Sequence, residues 1–215
     1  MAQINVAILG AGRIAQSMAE TLVKMAADDR YRDLVAPYAV AARDGERAAA
    51  FAAKYGFPVS YGSYEELVAD PNVNLVYIAT PHNFHAEQAI LCMRAGKGVL
   101  VEKAFGANTQ QAREILDVSD ETGMLCTEAI WTRYMPSRKL INEVIESGEI
   151  GEVKRVETFT DRPIWPQGLA RPEKEERVPK TMNWDAFIGP APYRPYNAAY
   201  TPWNFRGCLL YTSPS

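Results

Sequence analysis

The chain has 215 residues, 47% of them hydrophobic and 23% charged, and a formal net charge of −3. That charge gives no reason to expect a nucleic acid or an anionic membrane as partner, no apolar run is long enough to span a bilayer, and the N-terminus lacks a basic-then-apolar signal segment. Cys92, Cys126 and Cys208 are spaced without a CxxC pair, so neither a zinc site nor a disulfide framework is indicated, and a reducing cytoplasm is the expected location.

In chain order, Val6 to Leu9 is a short apolar run that reads as a buried strand. Gly10-Ala11-Gly12 follows at once, and Ile14, Ala15, Met18, Ala19 and Leu22 recur at helical spacing. Strand, glycine turn and helix are the opening of a dinucleotide-binding βαβ unit. Gly10 permits the tight turn, Gly12 lets the backbone approach a pyrophosphate, and Ala15 takes the small position where helix lies on strand. Arg13 and Ile14 open the helix, whose unpaired N–H groups and positive dipole end favour phosphate. A second strand over Leu34 to Ala42 ends in Ala42-Arg43-Asp44, where an adenosine ribose is read. Arg43 is the first charged side chain there, which points to the 2′-phosphate of NADP. Asp44 beside it keeps the 2′-hydroxyl of NAD open as an alternative.

A helix then runs through Glu46 to a Gly56 stop, Pro58 to Tyr61 forms a short strand, and Ser63 caps another helix, broken at Asp70-Pro71. Leu75 to Ala79 is a buried strand ending in Thr80-Pro81-His82-Asn83-Phe84-His85. In an open α/β sheet ligands lie at the carboxyl ends of strands, and this loop is at such an end. A helix over 86–95 and a strand over 99–101 lead to Glu102-Lys103-Ala104. Asn108 or Thr109 caps a helix over 110–122, and 124–127 is a sixth strand. This alternation predicts an α/β, doubly wound parallel Rossmann sheet as an NAD(P)-binding domain over residues 1–127, with Cys92 and Cys126 in the core. Beyond it an amphipathic helix is expected over 136–147, a strand over 151–159 and a short helix over 184–188, within a Pro- and Trp-rich stretch.

Gly10-Ala11-Gly12-Arg13-Ile14-Ala15, Ala79-Thr80-Pro81-His82-Asn83-Phe84-His85 and Glu102-Lys103 together resemble the Gfo/Idh/MocA oxidoreductases, the relatives of glucose–fructose oxidoreductase and inositol dehydrogenase. Glu128 to Pro136 is most similar to the branch containing dihydrodiol and xylose dehydrogenases, which mostly use NADP. The resemblance implies an NAD(P)-dependent oxidoreductase acting on a sugar, polyol or cyclic alcohol or diol, without nucleic acid or membrane. It places Lys103 as the motif lysine that polarises a carbonyl or stabilises alkoxide charge. Glu102 orients cofactor or lysine, Thr80, Pro81 and His85 line the nicotinamide side, and Trp131 and Arg133 face a carbohydrate-like substrate. The family motif is usually Glu-Lys-Pro, and Ala104 replaces the proline here.

The resemblance also implies an incomplete α+β second domain. Residues 128–207 read as the start of a substrate and oligomerisation domain, and 208–215 as a non-native tail. Residues 161–207 look like a different branch of the family from 128–136. Little turnover is expected from these 215 residues alone, and a homo-oligomer from the full-length form. Two other readings stand beside this one: an NAD-dependent glycoside hydrolase of the same architecture, and a non-catalytic dinucleotide-binding protein.

Overall fold

A computed structural model of the chain describes residues 3–157, 171–189 and 192–201. These residues form two compact units, divided between Ser147 and Gly148.

The first unit is built on one parallel sheet of β1 (Ile4–Leu9), β2 (Val35–Ala41), β3 (Val59–Tyr61), β4 (Leu75–Ile78), β5 (Gly98–Val101) and β6 (Cys126–Glu128), in the order β3-β2-β1-β4-β5-β6. The connecting helices are α1 (Arg13–Ala27), α2 (Gly45–Tyr55), α3 (Tyr64–Ala69), α4 (His85–Arg94) and α5 (Thr109–Thr122). The strand order reverses between β1 and β4, which creates the crevice where doubly wound sheets bind ligands. The parallel Rossmann sheet read from the alternating pattern is the fold observed.

The strands read as near-continuous apolar runs because both faces of the sheet are covered. Ala7, Leu9, Ala41, Ile78 and Val101 enter one buried cluster, while Val6, Ile8, Val40 and Tyr77 enter the other. A fully buried Ile8, Leu9 or Ile78 contributes about 1.5–3 kcal/mol relative to exposure. Local chemistry sets the helix ends. Asp44, Ser63 and Asn108 each accept the N–H three residues on, and Gly56 and Gly123 close α2 and α5 in the left-handed conformation.

The first unit ends in a 3-10 turn over Trp131–Tyr134 and α6 (Pro136–Glu146), which starts on a proline and has no buried residue. In the second unit, the strand expected over 151–159 does not form across its described part, 151–157. A strand needs a partner ladder, and none pairs with it among the described residues. The short helix expected over 184–188 is α7 (Trp184–Ile188). Trp184 is its buried residue; the ring packs edge-on against Tyr196 at 5.0 Å, and its indole N–H donates to the Arg194 carbonyl at 2.8 Å. Positions 158–170 and the tail 208–215 lie outside the described residues.

Candidate active site

All six strands of the sheet end level with one another, Ala41 being in register with Tyr61 of β3. Leu9 is in register with Ala41 and with Ile78, Ile78 with Val101, and Val101 with Glu128. The loops that begin at Gly10, Ala42, Ala79, Glu102 and Ala129 therefore emerge side by side along one edge. The end of β5 lies two strand spacings from that of β1, or about 10 Å.

At β1, Gly10 has φ 103°, and a Cβ there would lie 3.0 Å from Thr80 Cγ2 and 3.1 Å from the Ala79 carbonyl. The turn therefore admits glycine alone. Gly12 differs: among the described residues its nearest obstacle would be the Ala79 oxygen at 3.8 Å, so the space over it is open to a ligand. Gly12 is the N-cap of α1, which has no side-chain cap bond and no acidic residue in its first turn. Its N–H groups and dipole are left for an anion. Ala15 is fully buried, while Arg13 and Ile14 are exposed at the start of the helix. Arg47 from α2 clasps the turn from outside, donating through Nε at 3.2 Å and Nη2 at 2.9 Å to the Ala11 carbonyl.

Beyond β2, the Asp44 carboxylate accepts the Arg47 backbone N–H at 3.2 Å and so caps α2. Arg43 makes no ion pair among the described residues; its guanidinium lies 5.9 Å from the centre of the Phe84 ring. A cleft of about 350 Å³ opens here, edged by Arg43, Ser63, Tyr64, Thr80, Pro81 and Phe84. Burial raises the Tyr64 phenol above its ordinary range, and nearby Arg43 and Arg47 oppose that.

The loops after β4 and β5 are held by side chains. The Thr80 hydroxyl donates to the Gln88 side-chain oxygen. His85 is buried beneath the loops: Nδ1 lies 2.7 Å from the Ala104 carbonyl and Nε2 2.9 Å from that of Thr80. It bridges the two loops rather than facing the opening. Tyr77 donates its hydroxyl to Glu102 Oε1 at 2.6 Å, and Glu102 Oε2 accepts the Lys103 backbone N–H at 3.2 Å. Burial, then the bond to Glu102, push the Tyr77 phenol well above its ordinary range, so it remains a donor. Lys103 is exposed and has no ion pair among the described residues; the peptide that joins it to Ala104 is cis.

Trp131 and Arg133 sit on the 3-10 turn after β6, one strand farther along the edge. Trp131 is exposed. Arg133 borders a second cleft of about 270 Å³ with Phe105, Cys126, Glu128 and Tyr134. Lys103 borders neither cleft. Arg47, Tyr77, Phe84 and Gln88 escaped the sequence reading because each acts through a partner distant in the chain or a buried turn of helix.

These residues fit a dinucleotide. Among the described residues the glycine cradle has no side chain over it, the first helix offers N–H groups without a side-chain cap, and Arg43 and Lys103, neither in an ion pair, follow the ends of β2 and β5. A model of the oxidoreductase family with an NAD-binding Rossmann fold matches residues 4–130, and one for that family's C-terminal alpha/beta domain matches residues 134–214. The chain is 41% identical over 147 residues to trans-1,2-dihydrobenzene-1,2-diol dehydrogenase of Mus musculus, covering 68% of this chain and 43% of that protein. It is 50% identical over 96 residues to D-xylose 1-dehydrogenase (NADP(+)) of Hypocrea jecorina, covering 45% of this chain and 25% of that one. Among solved structures, levoglucosan dehydrogenase in complex with NADH and levoglucosan superposes with a TM-score of 0.65 at 27% identity, over 69% of this chain and 40% of that one. The chain thus spans less than half the length of each of these relatives.

Proposed function

The chain belongs to the Gfo/Idh/MocA oxidoreductase family, and from that premise we propose that it binds NADP in preference to NAD and that the whole protein oxidises or reduces a carbinol carbon of a sugar, polyol or cyclic diol. The observation that carries the reading is Lys103: an exposed ammonium at the end of β5, without an ion pair among the described residues, about 10 Å along the edge from the glycine turn.

When bound, the nicotinamide supplies or takes up the hydride. In this reading Gly10, Gly12 and the first N–H groups of α1 receive the pyrophosphate. Arg13 and Ile14 border it. Arg43, with Asp44 committed to its helix, receives the 2′-phosphate. Thr80 and Pro81 flank the nicotinamide end, with His85 and Glu102 supporting the loops from below and beside. Lys103 donates a hydrogen bond to the substrate oxygen and stabilises charge that develops on it. Trp131 and Arg133 face the far side of the substrate. Relatives named for a dihydrodiol, for D-xylose and for levoglucosan support a small polyhydroxylated substrate. Free thiols at Cys92 and Cys126 are consistent with a reducing, cytoplasmic location.

The test begins with titration of NADP and NAD into the chain, followed by tryptophan fluorescence and melting temperature. NADP is expected to bind about tenfold or more tightly than NAD, in keeping with a charge-assisted contact to the 2′-phosphate. Silence of both signals toward both dinucleotides refutes the reading. In the whole protein, assayed with D-xylose and trans-1,2-dihydrobenzene-1,2-diol, Lys103→Met is expected to lower kcat by about 100- to 1000-fold while NADP affinity stays within a few-fold.

A further inference from the structure

We infer that Tyr77 is a positioning residue for Lys103: its buried hydroxyl holds the Glu102 carboxylate against the backbone and so keeps that carboxylate from pairing with the adjacent ammonium. The inference rests on the role given to Lys103 above and adds how its charge is kept available.

Glu102, half-buried, and Lys103, exposed, are neighbours of opposite charge just past the end of β5, where an ion pair between them would be worth at most about 1 kcal/mol. They form none among the described residues. Both oxygens of Glu102 are engaged elsewhere: Oε1 by the Tyr77 hydroxyl at 2.6 Å and Oε2 by the Lys103 backbone N–H at 3.2 Å. The donor to Oε1 is itself fixed. Tyr77 is 2% exposed, lies on β4, and packs within the buried cluster that includes Ala79 and Ile8, with Leu100 against it. The next strand brings Glu102 alongside, its N–H bonded to the Ile78 carbonyl at 3.0 Å. A short bond from a buried phenol to a carboxylate is stronger than an exposed ion pair, which also loses side-chain entropy and is screened by salt. Glu102 therefore stays with tyrosine, and the lysine remains available to a substrate oxygen.

The test reads the lysine amine directly. The chain is treated with substoichiometric acetic anhydride, and acetylation of Lys103 is measured by mass spectrometry against the other lysines as internal standards. Tyr77→Phe keeps the ring and its packing and removes the hydroxyl. It is expected to slow Lys103 labelling by about three- to fivefold, the range of an exposed ion pair, as Glu102 swings onto the ammonium. In Tyr77→Phe/Glu102→Gln no carboxylate remains to swing, and labelling is expected to return to the wild-type rate or above. Unchanged labelling in Tyr77→Phe, or an equal loss in the double variant, overturns the inference.

A second measurement does not depend on a variant that folds. In the wild-type chain the Tyr77 hydroxyl proton is expected as a slowly exchanging downfield NMR resonance; its absence also overturns the inference. NADP titration of the same samples separates the two claims: labelling behaviour without NADP binding leaves the positioning intact and refutes the proposed function, and the reverse refutes the positioning alone.

Discussion

The two halves of the sheet's carboxyl edge are built by different means. In the half formed by β1 and β2, what faces a ligand is mostly backbone: a glycine turn that no side chain can enter, an uncapped helix start, and a carbonyl clasped from outside by Arg47. In the half formed by β4 to β6, the loops are tied by side chains: Tyr77 to Glu102, His85 between Thr80 and Ala104, and Glu128 to the Phe105 N–H at 2.9 Å. In the proposed reading the difference follows from the task. A turn that is to hold a pyrophosphate needs close approach, which side chains obstruct, and a loop that is to aim a cation needs a backbone held from several directions, which side chains provide.

The most damaging way to break the first half is Gly10→Ala. The positive φ and the 3.0–3.1 Å approach to Thr80 and Ala79 predict a loss of about 2–4 kcal/mol. That is a fall in melting temperature of about 5–15 °C, with loss of NADP binding measured by titration. Next comes Arg43→Ala. It is expected to weaken NADP by about 10- to 100-fold and to leave NAD within about twofold, because only one cofactor carries the 2′-phosphate. Equal losses for both cofactors would move Arg43 out of the phosphate-reading role. Arg47→Met is milder. Releasing the Ala11 carbonyl costs about 1 kcal/mol, so both cofactors should weaken together by a few-fold, a pattern distinct from that of Arg43.

The remaining contrast is in alkaline sensitivity. Burial pushes the Cys92 thiol up to about 12 and the Cys126 thiol up to about 11 from an ordinary 9.0, and both lie in the second half, on α4 and β6. On β3, beside the first half, burial followed by Asp70 pushes the Tyr61 phenol up to about 12 from 10.0. Each neutral form is favoured by folding, so its contribution is complete below the unfolded pKa and is lost as pH rises through the folded one. Urea melts should show stability unchanged up to pH 9, a decline from there as unfolded thiols ionise, and a further decline above pH 10. Replacing both cysteines with alanine should move the onset toward pH 10.

Much of this edge can be read from the chain because its signals are local. The glycine turn follows a strand directly, Ser63 and Asn108 cap helices within three residues, and Gly56 and Gly123 stop them. Arg43 is pointed to by the end of the second strand and Lys103 by the resemblance carried by Glu102-Lys103, and both follow strand ends in the structure. The supporting contacts are not legible, since they join distant positions: Arg47 reaches Ala11 across 36 residues and Tyr77 reaches Glu102 across 25. On a helical pattern Arg47 is one more surface charge, and Tyr77 reads as a core aromatic. His85 looks like a loop residue until the start of α4 turns it inward. The strand expected over 151–159 shows the opposite failure across its described part, 151–157: local residue types such as Val153 and Val156 say nothing about whether a partner exists to pair with them.

The adjacent pair at the end of β2 divides its labour cleanly. Asp44 is tied to the start of α2, whereas Arg43 makes no ion pair among the described residues and lies near the Phe84 ring. If Arg43 reads the 2′-phosphate as proposed, shifting cofactor preference toward NAD calls for a change at position 43 alone. Replacing Asp44 would unravel the first turn of a helix for about 1 kcal/mol, while a short acid at 43 would repel the phosphorylated ribose and welcome the plain one.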